Sequence, residues 1–285
     1  MILPKQKRII VLGDLHGDLN STLYILRKTK LINLTFENNE ADIKWIGGDT
    51  ILIQVGDQID RAPRLLNGEN NDENSDLKII SMFDDLDELA KLSGGRVISL
   101  LGNHEIMNVL GDFSYVSKAG LFKERRDVFK PGGFICSKFF CKRPVMCKIG
   151  SWIFCHGGIH PNIAKKYKID DINKIMYDFL MGKVPPNVKI IHELFLDSKS
   201  ILWNREYSGD KINYYNARKT LGLLNAKGMI MGHTPYRDEG INSRMKNKLW
   251  RVDCGISRAF GPHVKDSEFQ YLEIINDGEI IRVYK

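Results

Sequence analysis

The chain has 285 residues, of which 43% are hydrophobic and 27% are charged, and these near-average values exclude a disordered or fibrous protein. No stretch approaches the roughly 18 consecutive apolar residues of a membrane-spanning helix, and no apolar segment of a signal peptide follows the basic N-terminus. We therefore expect a soluble cytoplasmic protein that does not bind a membrane, with a single domain over residues 1–285. The net charge of +7 permits an anionic partner without identifying it.

Apolar and polar patterns predict alternating strands and helices along the chain. A buried strand over Arg8–Leu12 precedes a helix around residues 19–26. Apolar residues at 45–46 and 51–55 flank Gly47-Gly48-Asp49, which predicts a short hairpin. Further helices are predicted over 77–92, 170–180 and 214–224, and further strands over 97–101, 151–155, 229–231, 249–252, 269–275 and 279–284. This order indicates an α/β protein.

Five predicted strands end in loops that place Asp, His or Asn beside glycine. These loops lie at 13–17, 56–61, 102–105, 156–158 and 232–235. Loops at the carboxyl ends of strands converge in open α/β folds and hold ligands there, so the five loops can share one site. Their oxygen and imidazole donors suit Mn, Fe or Zn, and two ions satisfy so many donors better than one.

The spacing within these loops supports a metal site. Asp14 and His16 are alternate residues, so in an extended segment their side chains leave on the same side and can bind one ion. The Asp57 carboxylate can bridge two cations. His104 directly follows a candidate ligand but points elsewhere, which leaves it free for proton transfer. The remaining amide and imidazole donors can bind the second ion: Asn103, His156 and His233.

The five motifs, in this order, resemble those of the calcineurin-like metallophosphoesterases, specifically the phosphoprotein-phosphatase branch. They are Gly-Asp-x-His-Gly at 13–17, Gly-Asp-x-x-Asp-Arg at 56–61, Gly-Asn-His-Glu at 102–105, His-Gly-Gly at 156–158 and Gly-His at 232–233. Segments at 131–133, 202–205 and 253–257 make the chain look most similar to the Shewanella-like protein phosphatases. The resemblance implies an α/β sandwich of two mixed β-sheets flanked by α-helices, with the site at one edge.

The resemblance also implies a role for each motif residue. His104 would be the general acid, oriented by Asp60, while Arg61 and Arg205 would bind phosphate oxygens. A metal-bridging hydroxide would attack phosphorus in line, and the substrate would be a phosphorylated protein or another phosphate ester. Two divalent or trivalent transition-metal ions (Mn, Fe or Zn) would be held by Asp14, His16, Asp57, Asn103, His156 and His233.

The chain departs from the family pattern at Ala62, where the motif normally has glycine. Pro63 steers Ala62 toward an extended backbone, and alanine disfavours positive φ. We therefore expect the loop that carries Arg61 to differ from that of the family.

Other functions remain open from the sequence. Hydrolysis of dinucleoside polyphosphates such as diadenosine tetraphosphate would use the same metals but needs a pocket for a base. A catalytically silent binding module would keep the fold without turnover, although the complete ligand set argues against it. A nuclease would use the basic charge, but the chain has neither Gly-His-x-His nor a long basic stripe, which argues against a nucleic-acid partner. The sequence makes no prediction of oligomeric state.

Overall fold

The computed structural model of the chain describes residues 1–37, 40–64, 72–209, 211–262 and 265–285. Its strands are β1 Ile2–Leu3, β2 Arg8–Leu12, β3 Ile32–Glu37, β4 Glu40–Trp45, β5 Ile51–Gln54, β6 Arg96–Ser99, β7 Met146–Ile149, β8 Trp152–Cys155, β9 Gly228–Met231, β10 Asn242–Arg244, β11 Leu249–Arg251, β12 Tyr271–Ile275 and β13 Ile280–Tyr284. Its helices are α1 Leu19–Lys28, α2 Asp76–Lys91, α3 Asn103–Leu110, α4 Arg125–Phe129, α5 Phe134–Lys138, α6 Pro161–Lys166, α7 Ile169–Leu180, α8 Lys189–Ile191 and α9 Tyr214–Leu223, with a π-helical segment at His192–Leu196. Short 3₁₀ turns lie at Phe140–Lys142, Arg258–Phe260, Asp266–Glu268 and Asn276–Gly278.

Two mixed sheets contain most of these strands. The five-stranded sheet has the order β13-β12-β2-β5-β6, in which β2, β5 and β6 are parallel and β12 runs antiparallel to β2. The six-stranded sheet has the order β1-β7-β8-β9-β11-β10, in which β8, β9 and β11 are parallel. Each sheet therefore brings the carboxyl ends of three parallel strands to one edge.

The two sheets pack face to face around a shared apolar core. In β8, Phe154 belongs to the core that also contains Val11 of β2, whereas Ile153 and Cys155 belong to the core beneath Phe179 of α7. Successive side chains of a strand point to opposite faces, so one face of β8 meets the other sheet and the opposite face meets helices.

Helices cover the outer faces of the sandwich. Ile25 of α1 and Phe83 of α2 are buried in the same core as the five-stranded sheet. Strands buried on both faces have near-continuous apolar sequences, as in the Ile51–Gln54 segment of β5. The predicted α/β sandwich of two mixed sheets flanked by helices is confirmed. In the described part of the chain, no helix is both long and apolar enough to span a bilayer.

The hairpin predicted around Gly47-Gly48-Asp49 is wrong. β4 pairs with β3, with Trp45 opposite Ile32, whereas β5 lies between β2 and β6 in the five-stranded sheet. Because all four residues of β5 are buried, a central position in a parallel sheet suits it better than the edge of a hairpin. Trp45 Nε1 instead donates a hydrogen bond to Gly48 O, at 3.0 Å.

Candidate metal centre and active site

Loops at the carboxyl ends of the parallel strands join the two sheets at the candidate site. The backbone N–H groups of Leu15 and His16, after β2, both donate to the carbonyl of Asp57, after β5, at 2.9 Å. The N–H of His233, after β9, donates to Asp14 Oδ2 at 2.9 Å. Backbone hydrogen bonds and an N–H to carboxylate bond thus link segments that are distant in sequence.

Four of these site residues have a left-handed backbone, namely His16 (φ 41°), Asp57 (φ 54°), Asp60 (φ 76°) and His233 (φ 69°). Non-glycine residues seldom adopt this conformation, and where they do the strain is commonly found at functional sites. Gly56 (φ 102°) allows the close approach of two loops, because a Cβ there would lie 2.6 Å from Gly102 N. The backbone of the site is therefore bent to direct polar side chains to one place.

Asp57 lies at the centre of the predicted ligands. It forms one group of possible metal ligands with His16 and His104 and a second with His156 and His233, and within each group the ligand atoms lie within 4.8 Å of one another. Asp57 Oδ2 is 3.1 Å from His156 Nε2 and 3.9 Å from His104 Nε2. Burial alone would raise the pKa of Asp57, but His156 and His104 lower it well below its usual value. The lowered pKa favours the ionised form of Asp57, which is the form that a metal ligand needs.

The other predicted ligands lie beside these two groups. Asn103 Oδ1 is 2.9 Å from His156 Nε2, and His156 Nδ1 is 2.9 Å from the carbonyl of Val55. Asp14 accepts the hydrogen bond from the His233 N–H described above. The structure thus brings together all six residues that the sequence predicts as metal ligands.

Several polar atoms at this site have no protein hydrogen-bond partner among the described residues. Asp14 Oδ1, His233 Nε2 and Asp253 Oδ2 are buried in this way. Buried polar atoms are normally paired, since desolvation without a partner costs about 1–3 kcal/mol. Carboxylate and imidazole atoms of this kind are ligands for a transition-metal ion. The donor set therefore fits metal ions of the kind that the sequence predicts.

The protonation of His16 and His233 agrees with this fit, whereas the pKa of His156, which burial alone would lower, is raised above its usual value by the charge of Asp57. Burial, together with the neighbouring charge of Arg64, lowers the pKa of His16 well below its usual value. Burial, His156 and Arg205 do the same to the pKa of His233. Both rings are therefore neutral near pH 7, which is the form that binds a metal ion.

His104 has different partners, which suit proton donation. Its Nδ1 lies 2.7 Å from Asp60 Oδ2, so Asp60 orients the ring and leaves Nε2 directed toward the Asp57 side. Burial alone would lower the pKa of His104, but the charge of Asp57 and the hydrogen bond to Asp60 raise it above its usual value. A raised pKa favours the protonated form of His104, which is the form that a general acid needs.

A buried network that sequence reasoning missed holds Asp60. Asp60 Oδ1 accepts from Asn108 Nδ2 at 2.8 Å and from Arg125 Nη2 at 3.3 Å. Arg125 also donates to Asn108 Oδ1 at 2.8 Å and to Asp76 Oδ2 at 2.7 Å. Arg125 lies in the run Lys-Glu-Arg-Arg at 123–126, which is typical of an exposed helix face, yet it is 1% exposed. No sequence signal distinguishes it from its neighbours in that run.

Glu105 and Asp253 are two further site residues without a predicted role. The Glu105 carboxylate accepts from the N–H groups of Gly102, Asp57 and Gln58 at 2.7–2.9 Å, which ties two site loops together. Asp253 follows β11 beside Asp14, and burial raises its pKa to about 6. Both belong to segments that carry the family resemblance, and that resemblance is the sequence signal that could have identified them as site residues.

The two predicted phosphate-binding arginines differ in exposure. Arg205 is exposed and donates from Nη1 to Thr234 Oγ1 at 2.9 Å, next to His233. The Arg61 side chain is 0% exposed, with Nε 3.6 Å from Asp18 Oδ2. Ala62 does not adopt a positive φ, in agreement with the restriction expected from its own side chain and from Pro63.

The profile of the calcineurin-like phosphoesterases matches residues 7–237 of the chain. The chain therefore belongs to the calcineurin-like phosphoesterase family. It is a hydrolase that acts on phosphate esters, and its predicted similarity to the Shewanella-like protein phosphatases is confirmed by relatives of that name.

Two of these relatives come from different eukaryotes. Shewanella-like protein phosphatase 2 of Arabidopsis thaliana is 27% identical in an alignment 305 positions long, which covers 89% of this chain and 72% of that protein. Shewanella-like protein phosphatase 1 of Plasmodium berghei is 30% identical over 263 residues, which cover 88% of this chain and 67% of that protein. Among solved structures, the cold-active protein-tyrosine phosphatase of a psychrophilic Shewanella species superposes with a TM-score of 0.75. It is 20% identical, and the match covers 100% of this chain and 82% of that one, so it supports the fold.

Proposed function

We propose that the chain is a metal-dependent phosphomonoesterase that removes phosphate from phosphoproteins at a dinuclear centre. The observation that supports this proposal most directly is the position of Asp57, which shares one group of possible ligands with His16 and His104 and another with His156 and His233. A carboxylate common to two groups is the arrangement that a pair of ions requires. We also propose that residues 1–285 form one catalytic domain, since both sheets contribute to the shared core.

The proposed ligands divide between the two ions. Asp14 and His16 would hold the first ion, Asp57 would bridge, and the second ion would take Asn103, His156 and His233. Mn, Fe or Zn fits these oxygen and imidazole donors. When bound, such ions supply acidification of a water molecule and neutralisation of phosphate charge.

The protein groups then assist cleavage of the phosphorus–oxygen bond. His104 Nε2 would donate its proton to the departing oxygen, which leaves as a neutral alcohol, and Asp60 would stabilise the ring during the transfer. Arg205, exposed beside His233, would bind phosphate oxygens through its guanidinium. The role of Arg61 in phosphate binding stays a prediction.

Hydrolysis of a phosphoserine peptide with and without Mn²⁺ tests the proposal. We expect turnover to require metal and to fall at least about 10³-fold in Asp57→Asn, because the charge stabilisation from the ions amounts to several kcal/mol. Asp85→Asn, at an exposed position of α2, is the matched control and should retain wild-type turnover and metal content. Wild-type turnover and metal content in Asp57→Asn would refute the dinuclear centre.

The same assay separates two substrate classes. Diadenosine tetraphosphate would use the same proposed metals, so it is assayed beside the phosphopeptide at equal enzyme concentration. We expect a higher kcat/KM for the phosphopeptide. The opposite order would identify a dinucleoside polyphosphate hydrolase.

A further inference from the structure

The arginine at the family's phosphate-binding position has no access to solvent in this chain. The Arg61 side chain and its neighbour Asp18 are both 0% exposed. Asp18 is in turn bound by Arg258, whose Nε and Nη2 donate to it at 2.9 and 2.8 Å. Arg61 therefore lies within a buried charge cluster at the start of α1.

A second arginine from the same loop lies beside the proposed ligands. Arg64 Nη2 is 3.3 Å from His16 Nδ1 and 3.0 Å from the carbonyl of Asp60. Its guanidinium lies over the ring of Tyr115, 4.4 Å from the ring centre. The Tyr115 ring is in turn 5.0 Å from the His104 ring. Arg64 thus lies beside a proposed metal ligand, and the Tyr115 ring separates it from the proposed general acid.

Arg64 is also open to an incoming substrate. It is partly exposed and lines a surface cavity of about 940 Å³ together with Arg237, Phe260 and Lys265. The Phe260 ring is 5.4 Å from the His16 ring, so this cavity adjoins the proposed metal centre. An anionic ligand that enters from the cavity meets the Arg64 guanidinium next to His16.

The local sequence explains why Arg64 takes this position. The N–H of Ala62 donates to the carbonyl of Tyr115 at 3.1 Å, and the N–H of Arg64 donates to the carbonyl of Ala259 at 2.7 Å. Pro63 between them has a restricted φ. These two hydrogen bonds and the proline define the path of the loop across the site. On this path the Arg64 side chain, and not the buried Arg61 side chain, lines the cavity.

The contact with His16 places the Arg64 guanidinium at the edge of the proposed centre. A phosphate oxygen at the centre is an anion that would accept a charge-assisted hydrogen bond from this guanidinium.

We propose that Arg64, and not Arg61, is the arginine that binds substrate phosphate on the His16 side of the centre, opposite Arg205 on the His233 side. This inference rests on the proposed function and adds a phosphate-binding residue to it. The two arginines would then bind the phosphate group from the two sides of Asp57, the residue common to both ligand groups.

Calorimetric titration of the Mn-loaded protein with inorganic phosphate tests this without relying on turnover. We expect Arg64→Ala to raise the Kd for phosphate about 10- to 100-fold, with unchanged metal content, because a charge-assisted hydrogen bond is lost. Arg64→Lys keeps the charge but not the planar fork, so its Kd should be intermediate. On a phosphoserine peptide, Arg64→Ala should raise KM as well as lower kcat.

Two further variants complete the comparison. Arg61→Lys should keep the phosphate Kd within about twofold of wild type and lower Tm, since it disturbs a buried pair. Arg218→Ala, an exposed arginine on α9, is the matched control and should change neither quantity.

Three results would overturn the proposal: a phosphate Kd for Arg64→Ala within twofold of wild type, loss of metal from both Arg64 variants, or a larger loss of phosphate binding in folded Arg61→Lys than in Arg64→Ala. Failure of the proposed function is a separate result. A metal-loaded wild type that hydrolyses no phosphate ester would refute that function, whereas the phosphate titration would still decide the role of Arg64.

Discussion

The two sides of the site differ in how completely the protein satisfies their polar atoms. The His104 side, composed of His104, Asp60, Asn108 and Arg125, pairs both Asp60 oxygens with protein donors at 2.7–3.3 Å. The His233 side, composed of Asp14, His233 and Asp253, leaves one polar atom of each side chain buried without a hydrogen-bond partner in the described part of the chain. Leaving buried polar atoms without partners costs free energy, so a bound ligand would stabilise the His233 side more than the His104 side.

This difference separates two roles within one site. A general acid must hold its orientation before substrate arrives, and a network of hydrogen bonds from α3 and α4 provides that orientation. Metal ligands must instead keep lone pairs free until an ion binds. We therefore expect substitutions on the His104 side to act on catalysis and folding, and those on the His233 side to act on metal binding.

The largest expected effect is on the rate, from loss of the acid. His104→Asn should lower kcat for a phosphoserine peptide about 10²- to 10⁴-fold while metal content stays at the wild-type level. A substrate with a good leaving group, such as p-nitrophenyl phosphate, should lose less, because its leaving oxygen needs no proton. Unchanged turnover of the phosphoserine peptide would remove His104 from the mechanism.

A comparison of Asp60→Asn with His233→Asn in metal-free protein sharpens the contrast. Asp60→Asn disrupts a buried charged network and should lower the free energy of unfolding by about 2–4 kcal/mol. His233→Asn removes an imidazole whose Nε2 has no hydrogen-bond partner among the residues that the structure describes, so its cost should stay below about 1 kcal/mol. Urea denaturation in the presence of chelator measures both. Equal losses would mean that the two sides do not differ in this way.

Addition of metal should stabilise the folded protein through the His233 side, in contrast to the loss of stability expected from the substitutions. At a free Mn²⁺ concentration about 100 times its Kd, a single bound ion stabilises the folded state by about 2.7 kcal/mol. We expect Mn²⁺ to raise the Tm of the wild type and chelator to reverse the change. His233→Asn should show a smaller rise, and a rise as large as that of the wild type would argue against His233 as a ligand.

A smaller effect than those of Asp60→Asn and of metal binding is expected at Asp18, whose stabilising charge pairs need no metal. Burial would raise the pKa of Asp18, but hydrogen bonds from Arg258 lower it overall. Its contribution is therefore present above the ordinary carboxyl pKa and is lost as pH falls through the lowered value. Asp18→Asn should lower the free energy of unfolding by about 2 kcal/mol at pH 7, and the difference should shrink toward pH 3.

A matched exposed carboxylate checks that pH effect. Asp49 pairs with Lys7 at 3.5 Å with its side chain 63% exposed, so Asp49→Asn should change the free energy of unfolding by less than about 1 kcal/mol. A constant difference for Asp18→Asn would contradict the assignment.

Much of the fold follows from local patterns in the sequence. The apolar run Arg8–Leu12 and the helix-forming pattern after it appear as β2 and α1, and the helix predicted over 77–92 appears as Asp76–Lys91. Periodicity reports such elements because it reflects burial of one face or both. It does not report pairing, and this is why β5 was assigned to a hairpin although it lies between two parallel strands.

For the candidate site, the sequence determined the types of side chain and the strand ends that carry them, since strand, loop and donor residue are neighbours in the chain. Only the tertiary structure decided which arginine is buried and which is open, because Arg61 meets Asp18 and Arg125 meets Asp60 and Asp76 across long separations in sequence. The residue type alone does not show whether an arginine is exposed or buried. What differs is the set of carboxylates and aromatic rings that folding brings around it.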